Sequence, residues 1–124
     1  FAPADEVEDR LLVQCRGQHG RVSVERIVSG PGLRAIYRAL HGVEPDGDDR
    51  CLWSLALDSS DRRAAAALER FCQILGSVAG DIALAQGGFG GVAIAGGLGL
   101  RLAHVLPRSG FAQRFRAKGR FEAV

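Results

Sequence analysis

The sequence predicts an α/β fold in which helices dominate and a central strand lies near residues 91–95. Apolar residues recur at i, i+3, i+4 and i+7 along most of the chain, the spacing of helices that bury one face. One block, Val92-Ala93-Ile94-Ala95, is instead continuously apolar and bracketed by the glycine pairs Gly90-Gly91 and Gly96-Gly97, which reads as a strand buried on both faces. At 124 residues the chain is one domain's worth, and 47% hydrophobic with 24% charged residues is ordinary for a soluble globular protein.

Residues 4–18 place Val7, Leu11, Leu12 and Cys15 on one face behind an acidic first turn, the charge order a helix dipole favours. "RVSVERIV" (21–28) alternates, with Val22, Val24 and Ile27 inward, and predicts a short extended piece. "SGPG" (29–32) is a turn, with Pro31 suited to a helix start. The next helix carries Leu33, Ile36, Tyr37 and Leu40 and stops at Gly42. A polar loop over 43–50 leads to a short helix around Cys51–Leu57. Asp58-Ser59-Ser60-Asp61 then supplies N-cap residues for a long helix to about Ala85, with Leu68, Phe71, Cys72, Leu75, Val78 and Ile82 as its buried stripe. Gly76 and Gly80, one turn apart, each cost a helix roughly 1 kcal/mol relative to alanine, so they predict close packing against another backbone. The tail 101–118 reads as helix in two pieces divided by Pro107.

A formal net charge of +2 gives no ground for a nucleic-acid or membrane partner, and neither is expected. The basic tail (Arg108, Arg114, Arg116, Lys118, Arg120) reads as a solvated face with Phe111 and Phe115 buried behind it. Cys15, Cys51 and Cys72 have no metal-ligand spacing and are expected as buried reduced thiols in a reducing, cytoplasmic compartment. His19, His41 and His104 share no ligand spacing either, so no metal site is assigned. Acidic residues crowd the place of a signal-peptide core, and a chain that begins at Phe1 is expected to be processed or part of something longer. The run Ile82 to Leu100 is 19 residues without a charge, but seven of the thirteen residues over 87–99 are glycine, which disfavours a transmembrane helix. A glycine pair after a buried strand is either a tight turn or a place where a ligand approaches the backbone.

Three segments, "VSVERIVSGPGLRAIYRAL" (22–40), "FCQILGSVAGDIALAQGGFGGVAIAGG" (71–97) and "RSGFAQRFRAKGRF" (108–121), together with the opening "FAP", resemble in order and spacing the C-terminal half of bacterial ATP-dependent glucokinases. The resemblance implies part of the large C-terminal domain of an actin-like ATPase (ribonuclease H-like) fold, with the N-terminal domain absent. It implies transfer of the γ-phosphate of ATP to the 6-hydroxyl of glucose, with Mg²⁺ bound alongside ATP. "VAIAGG" is similar to the adenosine motif of that superfamily, so Gly96 and Gly97 would approach the nucleotide. Glu25 matches the family's sugar-contacting glutamate, and a carboxylate that accepts from two neighbouring hydroxyls can select a pyranose. Without the resemblance, Glu25 is a lone acid beside Arg26 and reads as solvated or ion-paired.

Departures accompany the likeness. Leu98-Gly99-Leu100-Arg101 stands where the family has a bulkier, proline-containing segment. The chain starts just beyond the family's other sugar contacts, and its catalytic aspartate has no counterpart here, so no catalytic residue is assigned. Asp81 reads as a capping or pairing residue on the long helix. The other reading for the chain alone is a non-catalytic sugar- or nucleotide-binding fragment, or a helical module that forms a homodimer, because unpaired strand edges invite self-association.

Overall fold

Asp5 opens the first helix, its carboxylate accepting from the Glu8 backbone N–H at 3.0 Å. The computed structural model describes residues 3–20, 22–85 and 102–117, and all regular elements among them are helical. They are α1 (Glu6–His19), α2 (Val24–Ile27), α3 (Gly32–His41), α4 (Asp49–Leu57), α5 (Arg62–Ala85), a 3-10 helix (Leu106–Arg108) and α6 (Phe111–Arg116). The strand expected near 91–95 lies outside the described residues, as do its glycine pairs. The chain divides into two compact units, Phe1–Phe71 and Cys72–Val124.

In the first unit α3 is the hub, in contact with α1, α2 and α4. Leu33, Ile36 and Tyr37 of α3 are buried as their helical spacing predicts, and Leu40 is half-buried. Gly42 ends the helix with φ 72°, its N–H returning to the Arg38 carbonyl. From α1, Leu11 and Cys15 complete the apolar contact, and the Arg10 guanidinium donates to the Ala39 carbonyl at 3.3 Å. Leu52, Trp53 and Ala56 form the buried face of α4, which Asp48 caps through the Cys51 N–H at 2.9 Å. Asp61 does the same for α5, accepting from the Ala64 N–H at 3.0 Å.

The extended piece expected over 21–28 is instead the single helical turn α2. Alternation over so few residues fits one helical turn as well as a strand, and no strand among the described residues offers it a ladder. Ile27 is fully buried as expected, and Val22 is half-buried. Cys51 also departs from expectation: Cys15 and Cys72 are buried, Cys51 is exposed. It sits beside Gly47, off the face formed by Leu52, Trp53 and Ala56.

Glu8, on α1, is a buried carboxylate with no exposed surface. Its Oε2 meets the Arg70 guanidinium at 2.9 Å, and Oε1 accepts from the Ala4 N–H at 3.2 Å. Arg70 also binds Asp5, so one guanidinium ties the start of α1 to α5. Burial alone would lower the Arg70 pKa, but the two carboxylates outweigh it and hold the guanidinium charged.

In the second unit the expected close packing at Gly76 is present. A Cβ there would lie 2.3 Å from the Phe111 carbonyl oxygen. Arg114 donates to the Ser77 hydroxyl at 2.7 Å, and Ser109 links the 3-10 helix to α6 by donating to the Leu106 carbonyl and accepting from the Phe111 N–H. Pro107 lies inside the 3-10 helix, and the break falls at Ser109-Gly110. Phe111 and Phe115 are half-buried rather than buried, stacked on each other with ring centres 6.1 Å apart.

Two expectations follow for stability. Replacing Arg70 with Met strands the Glu8 carboxylate and costs about 3 kcal/mol in chemical denaturation, and adding Glu8→Gln recovers part of that loss. Gly32→Ala places a Cβ 1.7 Å from the Ile27 carbonyl oxygen; it costs about 3 kcal/mol or more, whereas Gly30→Ala, with open space around it, stays within about 1 kcal/mol.

Candidate functional site

A helix of one turn cannot hold itself in water, so the position of α2 comes from its surroundings. Within it, the Arg26 N–H returns to the Ser23 carbonyl at 3.1 Å. At its end Ile27 is buried, and Gly32 lies so close to the Ile27 carbonyl that no side chain fits between them. The intervening turn is fixed twice by Ser29, whose carbonyl and hydroxyl both accept from the Gly32 N–H, at 3.1 and 3.3 Å. From α4, the Trp53 indole N–H donates to the Gly30 carbonyl at 2.8 Å. Trp53 is only 4% exposed and lies edge-on to Phe71, ring centres 5.2 Å apart. "VERIVSGPGL" is therefore one helical turn, a braced loop and the start of α3.

Glu25 falls on α2, and its side chain lies outside the described part of the structure. Gly96 and Gly97 also lie outside the described residues. The structure thus gives the backbone setting of one of the three residues singled out from sequence.

Beside α2 an open cleft of about 620 Å³ lies against α1 and α3, lined among others by Ser23, Arg26, Ser29, Arg38 and Cys15. Ser23, Arg26 and Ser29 all face the cleft from this segment. The Arg26 side chain makes no hydrogen bond or ion pair with the described residues. The other two arginines at the cleft are engaged. Arg34 holds Asp49 at 2.7 Å, Glu44 at 3.3 Å and the Gly47 carbonyl at 2.7 Å, while Arg38 holds Glu44 at 2.8 Å. These contacts brace the 43–48 loop. The Arg38 hydrogen bond, with Arg34 adding to it, keeps the Glu44 carboxyl below its ordinary pKa, so this brace is present at neutral pH and fades as pH falls through the lowered value. Burial pushes the Cys15 thiol up, only partly offset by Arg38, so at neutral pH it stays protonated and is a poor nucleophile.

Sequence reasoning missed Trp53, Glu8 with Arg70, and Arg34. A sole tryptophan on a short helix was the one available signal for the first. Of the histidines, His41 contacts the Arg63 carbonyl at 3.0 Å and lies edge-on to Tyr37. His104 is exposed. Among the described residues no group of three His, Cys, Asp or Glu is placed to hold a metal ion, and no helix is long and apolar enough to cross a membrane. Asp81 is exposed on α5.

The family model described as Glucokinase matches residues 1–124. The chain belongs to the glucokinase family. It is 56% identical over 128 residues to the glucokinase of Zymomonas mobilis subsp. mobilis, covering 100% of this chain and 39% of that protein. It is 44% identical to the bifunctional protein glk of Paraburkholderia xenovorans, covering 99% of this chain and 20% of that one. Among solved structures it is similar to a glucokinase from an Antarctic psychrotroph, with TM-score 0.85 and 36% identity over 98% of this chain and 39% of that one. The chain therefore spans well under half the length of these glucokinase relatives. The glucokinase family assignment agrees with the sequence resemblance, and the helical architecture agrees with it in outline.

Thiol labelling checks the burial pattern. Under native conditions a maleimide is expected to modify Cys51 at least tenfold faster than Cys15 or Cys72, read by peptide mass spectrometry.

Proposed function

We propose that this chain is part of the large C-terminal domain of a glucokinase with the actin-like ATPase (ribonuclease H-like) fold, completed by an N-terminal domain, and that 91–95 form its central strand. The reading is carried by the family match over the whole chain. The enzyme transfers the γ-phosphate of ATP to the 6-hydroxyl of glucose, giving glucose 6-phosphate and ADP. The hydroxyl oxygen attacks the γ-phosphorus as its proton passes to a general base, and ADP leaves from the opposite side. None of the residues here is assigned as that base. It belongs, in this reading, to the N-terminal domain, and closure of the two domains excludes water from the transferring phosphoryl group.

The part played by this chain is positioning. Glu25 accepts hydrogen bonds from two adjacent sugar hydroxyls, fixing the ring so that the 6-hydroxyl faces the phosphate. A carboxylate suits this because each oxygen accepts without a competing donor of its own. Gly96 and Gly97 leave room for the adenosine at the carboxyl end of the strand. Mg²⁺, arriving with ATP, offsets charge on the phosphates. The protein works in the cytoplasm, as a step of glycolysis, with glucose and ATP as its partners, and self-association into a homodimer fits the unpaired edges of a lone strand.

The direct test is Glu25→Gln in the full-length protein. The expected result is a glucose KM raised about tenfold or more, the loss of charge-assisted hydrogen bonds, with the ATP KM within about twofold of the parent. An unchanged glucose KM removes Glu25 from the sugar site.

A further inference from the structure

We propose that Trp53 is a positioning residue for Glu25, acting through the Gly30 carbonyl; this rests on the reading of Glu25 as a sugar ligand. The need for such a residue is physical. α2 is a four-residue helix, too short to hold itself in water, so its backbone direction is set by its anchors. Two of these anchors are steric and lie at one end: the burial of Ile27 and the approach of Gly32 to the Ile27 carbonyl. They hold the end of α2 in place, and the Ser29 contacts close the turn locally.

The Trp53 N–H···O=C Gly30 bond, at 2.8 Å, adds a directional tie to this loop. It reaches the loop from α4, 23 residues away in sequence, and so refers α2 to an element outside its own hairpin with α3. The donor is itself rigid. Its ring is buried edge-on to the fully buried Phe71, and an indole has few rotamers to lose. Ser29 adds the local brace, its hydroxyl accepting from the Gly32 N–H. Loss of the indole donor leaves the Gly30 carbonyl without this partner and lets the loop relax by the fraction of an ångström that sugar orientation does not tolerate.

The test uses the full-length protein and a double-mutant cycle. Trp53→Phe keeps the aromatic ring against Phe71 and removes the donor. Its expected effect is a glucose KM raised on the order of fivefold with the ATP KM unchanged. In a Glu25→Gln background the same substitution is expected to change glucose KM by less than about twofold, because the group it positions is already gone. Ser29→Ala, a milder change in the same loop, is expected to move glucose KM in the same direction, and serves in place of Trp53→Phe should that variant not fold. An unchanged glucose KM in these loop variants, beside a weakened Glu25→Gln, overturns the proposal for Trp53 and leaves Glu25 standing. Equal effects of Trp53→Phe in both backgrounds also overturn it, since a general structural loss acts independently of Glu25. An unchanged glucose KM in Glu25→Gln sinks the Glu25 reading, and the Trp53 proposal with it.

Discussion

The approach of Gly32 to the Ile27 carbonyl is the constraint on which the first unit's candidate site depends. With a Cβ excluded at that point, the chain can turn from α2 into α3 within four residues and still bury both Ile27 and Leu33. The turn in turn brings the Gly30 carbonyl to the indole of Trp53 and the Gly32 N–H to the hydroxyl of Ser29. Sequence, packing and site meet in "SGPG": glycine gives the close approach, proline sets the N-cap backbone of α3, and serine satisfies an N–H at the helix start.

Charge does a different job in each part of the molecule. At the α1–α5 junction one guanidinium serves a fully buried Glu8 and a half-exposed Asp5, and removing it strands a desolvated carboxylate. Around the 43–48 loop, Arg34 and Arg38 share Glu44 and Asp49 near the surface, where such pairs are individually weak and act chiefly by fixing the loop that leads into α4. That α4 carries Trp53 ties this surface network to the buried brace on α2.

Much of the helical layout could be read in the sequence, because i, i+3, i+4 spacing and N-cap chemistry report burial and helix starts directly. The phase of α3, its stop at Gly42, the extent of α5 and the close packing at Gly76 all emerged from it. The failures have a common cause: they concern short segments or partners far apart in sequence. Alternation over 21–28 could not distinguish a strand from one helical turn, and Cys51, on a helix of only nine residues, falls off the buried face despite the thiol's usual preference for burial. Glu8 looked like an ordinary first-turn acid, since its partner Arg70 is 62 residues away. Glu25 was singled out through a family resemblance, and no spacing in the sequence would have pointed to it; Gly96 and Gly97 had only a glycine pair behind a strand in their favour.

A crystal structure of the full-length protein with glucose bound decides whether α2 presents Glu25 to the sugar. The Glu25 carboxylate is expected within hydrogen-bond distance of two sugar hydroxyls, with the Trp53–Gly30 hydrogen bond retained near its present 2.8 Å. Glucose bound with no contact to Glu25, or with α2 turned away and that bond broken, would contradict it.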